Sequence, residues 1–288
     1  MEKSEKPIAS IESINRHPEV PYTGAMAIEH RGTKGELRCG AGAFEALFPP
    51  GIVAVEWCGN PEPEALSEAE SESLGRAAPQ RRREFAAGRQ CARRALARLG
   101  LDGALIGRGA DRRPLWPESF VGSIAHTAEY AAAAVAHRRD FAALGLDVER
   151  REAVGEHLWR RIAVPAELHW VGDLPPAERV AAATLLFSAK EAIYKCLYAW
   201  LGLRLGFQDV ELDPQPAASD RGAFGVRFCG AAPAGLAALS GRYRWDGRYV
   251  LTAIAVPADA APRECDANGV TEQLVQSAGG DQQGVRAR

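Results

Sequence analysis

The sequence of 288 residues predicts an α+β fold with two similar halves, each made of one long helix and a small antiparallel sheet. Two segments with apolar residues at helical spacing, near 79–99 and 176–201, predict the helices. Short apolar stretches bounded by turn residues lie around each helix and predict the strands.

In the first half, residues 52–57 predict a strand and a helix follows from Pro79 to Leu99, with Gly100 as its end. Strands are predicted at 121–124 and 130–136. The alanine run 131–134 also suits a helix, but the alternation around it and the turn-like residues that follow favour a hairpin.

In the second half, a strand over 141–149 leads to a helix over Pro176–Leu201, which starts at a proline pair and ends before Gly202. Further strands are predicted near 210–212, 224–228, 242–244 and 249–256.

Both ends of the chain lack apolar periodicity. Residues 1–35 predict a flexible extension and residues 258–288 a disordered tail, which leaves an N-terminal half over 36–140 and a C-terminal half over 141–257. The start of the chain has no apolar signal region, and no apolar run approaches a membrane span, so we expect a cytoplasmic protein without membrane attachment.

The composition excludes several kinds of protein. A formal net charge of −2 argues against bulk nucleic-acid binding, which usually requires a basic excess. The six cysteines include no C-x-x-C pair, which argues against a zinc site and a disulfide framework.

The stretch 145–149, Gly-Leu-Asp-Val-Glu, carries two carboxylates two positions apart. On a strand, Asp147 and Glu149 project from one face while Leu146 and Val148 project from the other. Neighbouring hard oxygen ligands suit Mg²⁺, which takes one or two carboxylates together with water and substrate phosphates. The alternative is a solvated strand face that runs into a charged turn.

The stretch 187–195, Phe-Ser-Ala-Lys-Glu-Ala-Ile-Tyr-Lys, places charges in or beside the apolar stripe of the second helix. Glu191 lies near the edge of that stripe, Lys195 one turn further on, and Lys190 inside it. A charge there is costly unless a partner or a metal compensates it. The alternative is an ordinary Glu-to-Lys surface pair with a snorkelling Lys190.

Taken together, Gly-x-Asp-x-Glu and, some forty residues later, Phe-Ser-x-Lys-Glu-x-x-x-Lys resemble the motif pair of the 4′-phosphopantetheinyl transferases. The likeness is to the enterobactin-synthetase-associated and mycobacterial branches. It extends from about Phe48 to Val256 and includes the segments 83–93, 112–117, 122–127, 203–207 and 250–255.

The resemblance implies a fold and a reaction. The fold would be an α+β pseudo-dimer, active as a monomer, with the active site between its halves. In the reaction, a serine hydroxyl of an acyl or peptidyl carrier protein attacks the β-phosphate of coenzyme A. Phosphopantetheine is transferred and adenosine 3′,5′-bisphosphate is released. Siderophore, polyketide and non-ribosomal peptide carriers are the implied partners.

The resemblance also implies roles for the acidic motifs. Asp147, Glu149 and Glu191 would bind Mg²⁺ at the pyrophosphate. Glu191 is also the candidate general base, acting on the serine directly or through a water. Lys195 would contact a phosphate oxygen and stabilise the leaving nucleotide.

A second set of residues is expected to bind coenzyme A. Arg81 and Arg89 are eight residues apart, about two helical turns, and so share a face suited to clamping the 3′-phosphate. The alternative is a solvated basic helix. His126 would donate to the same phosphate, and Ser123 would offer its hydroxyl or its backbone N–H to the nucleotide. Arg112, preferred over its neighbour Arg113, is expected near the pyrophosphate.

Two other functions use parts of the same pattern. A metal-dependent nucleotide pyrophosphatase would share the carboxylates, but it would not need the 3′-phosphate clamp of Arg89 and His126. A non-catalytic module that binds carrier proteins would keep the fold without needing Asp147, Glu191 and Lys195, all of which are present.

Overall fold

The computed structural model describes residues 36–39, 42–59, 66–74, 76–215, 220–233, 236 and 239–260. Helices and antiparallel sheets are both present, which confirms the predicted α+β class. The predictions for 1–35 and for 261–288 lie outside the described residues. Of the predicted disordered tail, Ala258–Ala260 form a 3-10 turn, and the Ala258 N–H donates to the Asp140 carbonyl.

The first sheet has four antiparallel strands with one long helix on its outer face. The elements are β1 (Glu36–Cys39), β2 (Ile52–Cys58), α2 (Pro79–Arg98), β5 (Phe120–Thr127) and β6 (Tyr130–His137). The spatial order of the strands is β1, β2, β6, β5. The helix α2 packs on this sheet through small and apolar side chains that include Ala87, Cys91 and Leu96.

The second sheet has five antiparallel strands and one long helix packed on it. The elements are β7 (Phe141–Arg150), α5 (Pro176–Leu201), β8 (Val210–Pro214), β9 (Arg221–Phe228), β10 (Leu239–Asp246) and β11 (Tyr249–Pro257). The spatial order of the strands is β7, β11, β10, β9, β8. The 26-residue helix α5 packs on them through a core that includes Leu186, Ile193 and Leu197, and its bounds agree with the predicted helix.

Several short elements have no counterpart in the prediction. Each is too short to show a helical or strand period, so the pattern of apolar residues did not reveal them. They are β1, the helices α1 (Glu68–Leu74), α3 (Glu156–Ile162) and α4 (Pro165–Asp173), the strands β3 (Gly107–Arg108) and β4 (Pro114–Leu115), and the 3-10 turns at 45–47 and 207–209. Within the described ranges, no helix is both long and apolar enough to cross a membrane.

The two sheets meet along β5 and β7, which are edge strands of their respective sheets. The Leu146 N–H of β7 donates to the Ser123 hydroxyl of β5 across this joint, at 3.2 Å. A shared core, which includes Val121, Leu146 and Leu251, fills the space between the inner faces. The edge of β7 is therefore covered by the first half of the chain and is not open to solvent.

Glycines allow each long helix to lie directly on its sheet. A Cβ on Gly145 would lie 2.0 Å from the Ala192 carbonyl oxygen of α5, and a Cβ on Gly88 would lie 2.8 Å from the Ile124 side chain of β5. Gly145 therefore permits backbone contact between α5 and β7, which brings the polar residues of both elements together.

We expect the substitution Gly145→Ala to reduce the free energy of unfolding by about 3 kcal/mol or more, because overpacking is costly and a helix carbonyl cannot rotate away as a side chain can. Thermal and denaturant unfolding followed by circular dichroism would measure the loss.

Gly172→Ala on α4 is the matched control, because a Cβ there meets no described atom within 4 Å. Alanine is favoured over glycine in a helix by roughly 0.5–1 kcal/mol, so this variant should be as stable as the natural protein or slightly more stable. Equal losses in the two variants would contradict the assigned contact.

Candidate active site

The two carboxylates of β7 face α5, as the strand alternation predicts. Leu146 and Val148 are buried in the core between the sheets. Asp147 is buried on the opposite face, where Lys195 and Ser188 of α5 contact it. The prediction that Asp147 projects from the strand face opposite Leu146 and Val148 is confirmed.

Asp147 is held by hydrogen bonds at both oxygens. Lys195 Nζ donates to Oδ1 at 2.6 Å, and the Ser188 hydroxyl donates to Oδ2 at 2.8 Å. Lys195 also donates to the Leu146 carbonyl at 3.3 Å, while Ser188 lies 2.9 Å from the Thr252 hydroxyl. The role of Ser188 was missed in the sequence analysis. Its position seven residues before Lys195, two turns along one helix face, was the available signal.

Glu191 and Glu149 lie close enough to Asp147 and Lys195 for both charges to shift their pKa values. Burial raises the pKa of Glu191 to about 8; the charge of Lys195 opposes this shift and that of Asp147 adds to it. Burial and then Asp147 raise the pKa of Glu149 well above its ordinary value, although Lys195 opposes the shift. Burial acts to lower the pKa of Lys195, but the carboxylates, first Asp147 and then Glu191, outweigh it and the pKa is raised.

The three predicted metal ligands fit a divalent cation by their chemistry. Glu191 is buried, and Oε1 has no hydrogen-bond partner among the described residues. A hard cation would satisfy that oxygen and relieve the mutual repulsion of the carboxylates. In this structure Asp147 is turned toward Lys195 and Ser188, and no three acidic, histidine or cysteine side chains of the described residues are arranged to hold a metal ion.

Lys190 is a buried structural residue, and the alternative of a snorkelling surface lysine is wrong. Its Nζ donates to Glu167 at 2.7 Å, to the Ile162 carbonyl at 2.9 Å and to the Phe207 carbonyl at 2.8 Å. These three acceptors use all three protons of the ammonium group. Glu167 also accepts from the Leu212 N–H, so this ion pair ties α4, α5 and β8 together.

Arg81 and His126 face each other across the contact between α2 and β5. Arg81 Nη1 lies 2.9 Å from His126 Nε2, and Glu84 lies 3.7 Å from Arg81 and 3.6 Å from His126. Burial, then the charges of Arg81 and Lys195, lower the pKa of His126 to about 3, so the imidazole is neutral at neutral pH.

Arg89 is buried beside this pair. Nη2 donates to the Gly107 carbonyl at 3.3 Å, and Nε has no partner among the described residues. Burial lowers the pKa of Arg89 to about 10, with Glu70 opposing the shift and Arg108 adding to it, so the guanidinium remains charged at neutral pH. Arg108 belongs to the same cluster and was missed by the sequence analysis, since a two-residue strand carries no periodic signal.

Arg112 and Arg113 have different surroundings. Arg113 Nε lies 3.1 Å from Asp111, whereas Arg112 is close enough to Arg108 for its charge to lower the pKa of that arginine, after burial as the main cause. Arg112 has a φ of 71°, which is uncommon for a residue other than glycine. These surroundings favour Arg112 over Arg113 for contact with an anion.

Ser123 lies on the opposite face of β5 from His126. Its hydroxyl accepts the Leu146 N–H at the joint and is buried. Because strand residues alternate between faces, the Ser123 side chain does not join the arginine cluster. Its predicted contact with the nucleotide stays a prediction that would have to use the backbone.

The charged groups form two clusters that meet at Lys195. The first half supplies the cationic cluster of Arg81, Arg89, Arg108, Arg112 and neutral His126, and the second half supplies the carboxylate cluster of Asp147, Glu149 and Glu191. Lys195 acts electrostatically on His126 on one side and on the three carboxylates on the other. Such a site can bind a molecule with several phosphates, one end on cations and the other on a carboxylate-bound metal.

The chain matches known protein families over most of these residues. Residues 69–136 match the family described as the 4′-phosphopantetheinyl transferase N-terminal domain. Residues 143–252 match the 4′-phosphopantetheinyl transferase superfamily.

Individual proteins are similar over most of this chain or over part of it. 4′-Phosphopantetheinyl transferase Npt of Nocardia iowensis is 34% identical over 223 residues, which cover 74% of this chain and 99% of that protein. 4′-Phosphopantetheinyl transferase Svp of Streptomyces mobaraensis is 36% identical over 213 residues, 72% and 85% of the two chains. Enterobactin synthase component D of Salmonella typhi is 34% identical over 125 residues, 42% and 50% of the two chains.

We expect Lys190→Met to reduce the free energy of unfolding by roughly 3–5 kcal/mol, since it leaves the buried Glu167 carboxylate without its cation. Denaturant unfolding at neutral pH would measure the loss.

Lys195→Met, the same change five residues further along α5, should cost less, because Lys195 is 28% exposed and the carboxylates beside it can take up protons. If Lys190→Met and Lys195→Met reduced the free energy of unfolding equally, or Lys190→Met reduced it less, the structural role of the Lys190–Glu167 pair would be contradicted.

Proposed function

The chain belongs to the 4′-phosphopantetheinyl transferase superfamily, and on this basis we propose that it transfers phosphopantetheine from coenzyme A to an acyl or peptidyl carrier protein. The carrier serine oxygen would form a bond to the β-phosphorus of coenzyme A as the bond to the leaving phosphate breaks. The products are the holo-carrier and adenosine 3′,5′-bisphosphate. The observation that carries the proposal is the meeting of the two charge clusters at Lys195.

The cationic cluster would hold the nucleotide. Arg81 and Arg89 would bind the 3′-phosphate as charge-assisted donors. The Arg89 Nε, which has no partner among the residues that the structure describes, supports this role. His126, neutral at neutral pH, would donate one N–H to the same phosphate. Arg108 and Arg112 would neutralise the pyrophosphate and keep it in line for displacement.

The carboxylate cluster would hold a metal ion. We propose that Asp147, Glu149 and Glu191 bind Mg²⁺. Their oxygen-only donor set supports this, as does the buried Glu191 oxygen, which has no hydrogen-bond partner within the described ranges. The ion, when bound, would neutralise charge on the pyrophosphate.

Glu191 and Lys195 would act on the reacting groups. Glu191 would accept the proton of the serine hydroxyl, directly or through a water, in its ionised form, which burial disfavours by raising the pKa to about 8. Lys195 remains protonated because its pKa is raised, and it would donate to a phosphate oxygen as charge develops on the leaving nucleotide.

The proposal extends to the organisation of the chain. We propose a pseudo-dimer of halves over 36–140 and 141–257, with one substrate site between them and a monomer as the active form. The likeness to enterobactin synthase component D supports siderophore-type carriers among the partners. The segment 151–175 and the second-half sheet are the candidate surface for the carrier.

The function is tested by the intact mass of an apo carrier protein after incubation with this enzyme, coenzyme A and Mg²⁺. We expect a gain of one phosphopantetheine that is lost when EDTA removes the metal. Glu191→Gln should abolish the gain, whereas Glu178→Gln, an exposed carboxylate on the same helix, should retain it.

Two results would contradict the proposal. Cleavage of coenzyme A without a mass gain would indicate a nucleotide pyrophosphatase. Binding of coenzyme A without transfer to any of several peptidyl and acyl carriers would favour a non-catalytic module.

We expect Arg89→Ala to weaken coenzyme A binding roughly 10- to 150-fold, the range for losing a hydrogen bond between charged groups. The same substitution should weaken binding of dephospho-coenzyme A much less, because that ligand lacks the 3′-phosphate. Calorimetry with both ligands measures the difference, and Arg98→Ala, an exposed arginine near the end of α2, is the control. Equal losses for both ligands would refute the assignment of Arg89 to the 3′-phosphate.

A further inference from the structure

The β3–β4 hairpin of the first half reaches across to the second half. The Tyr198 hydroxyl, in the last turn of α5, donates to Asp111 Oδ2 at 3.1 Å. Arg113 Nη1 donates to the Ala199 carbonyl at 3.4 Å, in the same turn. The hairpin tip therefore rests on the helix that carries Glu191 and Lys195.

Asp111 also fixes the shape of the hairpin tip. Its Oδ1 accepts the Arg113 N–H at 3.3 Å, and its Oδ2 lies 3.1 Å from Arg113 Nε. The turn is closed by the Arg112 N–H, which donates to the Gly109 carbonyl at 2.9 Å. One carboxylate thus holds both the turn, including the positive φ of Arg112, and the contact with α5.

The base of the hairpin is attached to the other long helix. Arg89 of α2 donates to the Gly107 carbonyl at 3.3 Å, next to Arg108. The hairpin therefore spans from α2 to α5, and it carries Arg108 and Arg112 over the joint between the halves.

The Tyr198 ring is held in place by contacts other than its hydroxyl. It stacks on the Tyr194 ring with centroids 5.2 Å apart and planes 7° from parallel, and the Arg204 guanidinium lies 5.7 Å from its centroid. Replacing Tyr198 by phenylalanine removes the bond to Asp111 and keeps the ring contacts.

We propose that the Asp111–Tyr198 contact is a clasp that holds the β3–β4 hairpin across the two halves and thereby sets Arg108 and Arg112 against the phosphates of the bound nucleotide. Asp111 and Tyr198 are positioning residues that act through the two arginines. The identity of the nucleotide rests on the function proposed above.

Repulsion between the arginines explains why such a clasp is needed. Burial, then the charges of Arg112 and Arg81, lower the pKa of Arg108, so these cations lie close together before any anion binds. Like charges in proximity favour an open hairpin. The bond to α5 opposes that movement and so reduces the ordering that a phosphate ligand would have to impose.

The first test is hydrogen exchange followed by mass spectrometry on the full-length free protein. We expect Tyr198→Phe to increase exchange several-fold in the peptide 107–115. The control Tyr243→Phe removes a hydroxyl that donates to the Gln215 carbonyl at 2.9 Å in the second sheet, and it should leave that peptide unchanged. If hydrogen exchange of the peptide 107–115 were unchanged in Tyr198→Phe, the clasp would be refuted. This result does not depend on which ligand the protein binds.

The second test is steady-state transfer with coenzyme A. Loss of the part-buried hydrogen bond to the Asp111 carboxylate should raise the KM for coenzyme A roughly three- to tenfold in Tyr198→Phe, with kcat close to that of the natural protein. If the Tyr198 hydroxyl only stabilised the fold, the variant would contain less folded enzyme. The apparent kcat would then fall and the KM for coenzyme A would stay unchanged. Faster exchange of the hairpin with an unchanged KM would overturn the positioning role, while the proposed function would stand. Absence of transfer by the natural protein would overturn the proposed function and leave the exchange result valid.

Discussion

The close approach of α5 to β7 at Gly145 is the constraint on which the site depends. Without a Cβ at this position, the Ala192 carbonyl of α5 lies against the strand backbone. Glu191 and Lys195 flank Ala192 on the helix, and Asp147 follows Gly145 by two positions on the same face of the strand. The 2.6 Å contact between Lys195 and Asp147 follows from this geometry, as does the shared burial of the carboxylates.

Two ion pairs on α5, one fully buried and one part-buried, differ in how many of their polar atoms have a partner. Lys190 and Glu167 have all their polar contacts within the fold, so this pair has no donor left for a ligand. Near Lys195, three carboxylates lie close to this lysine, and one buried oxygen of Glu191 has no partner in the part of the chain that the structure describes. Unsatisfied buried groups are rare in folded proteins. The second cluster is therefore incomplete by itself, and a divalent cation with a phosphate ligand would complete it.

The sequence predicts the long elements, in which the apolar pattern repeats several times, and those whose ends carry a proline or glycine signal. The helix α5 begins and ends where a proline pair and Gly202, with φ of 67°, predict. Lys190 was correctly placed inside the apolar stripe, but Glu167 lies 23 residues away and no spacing rule pairs them. Arg108 and the hairpin that carries it were missed because each strand has two residues. The position of Ser123 at the joint depends on which strand edges meet, and that is a tertiary property.

Each half has a long helix on a sheet with a glycine at the contact, and the two halves have opposite chemistry. Gly88 allows α2 to approach β5 as Gly145 allows α5 to approach β7, yet the first contact gathers arginines and His126 while the second gathers carboxylates. Each cluster alone is a concentration of like charge, which opposes its own formation. Their fields meet only because β5 and β7 lie edge to edge, joined by the bond between Ser123 and Leu146. The joint between the halves is therefore part of the proposed site, and a ligand that carries both phosphate and metal would contribute to holding the halves together.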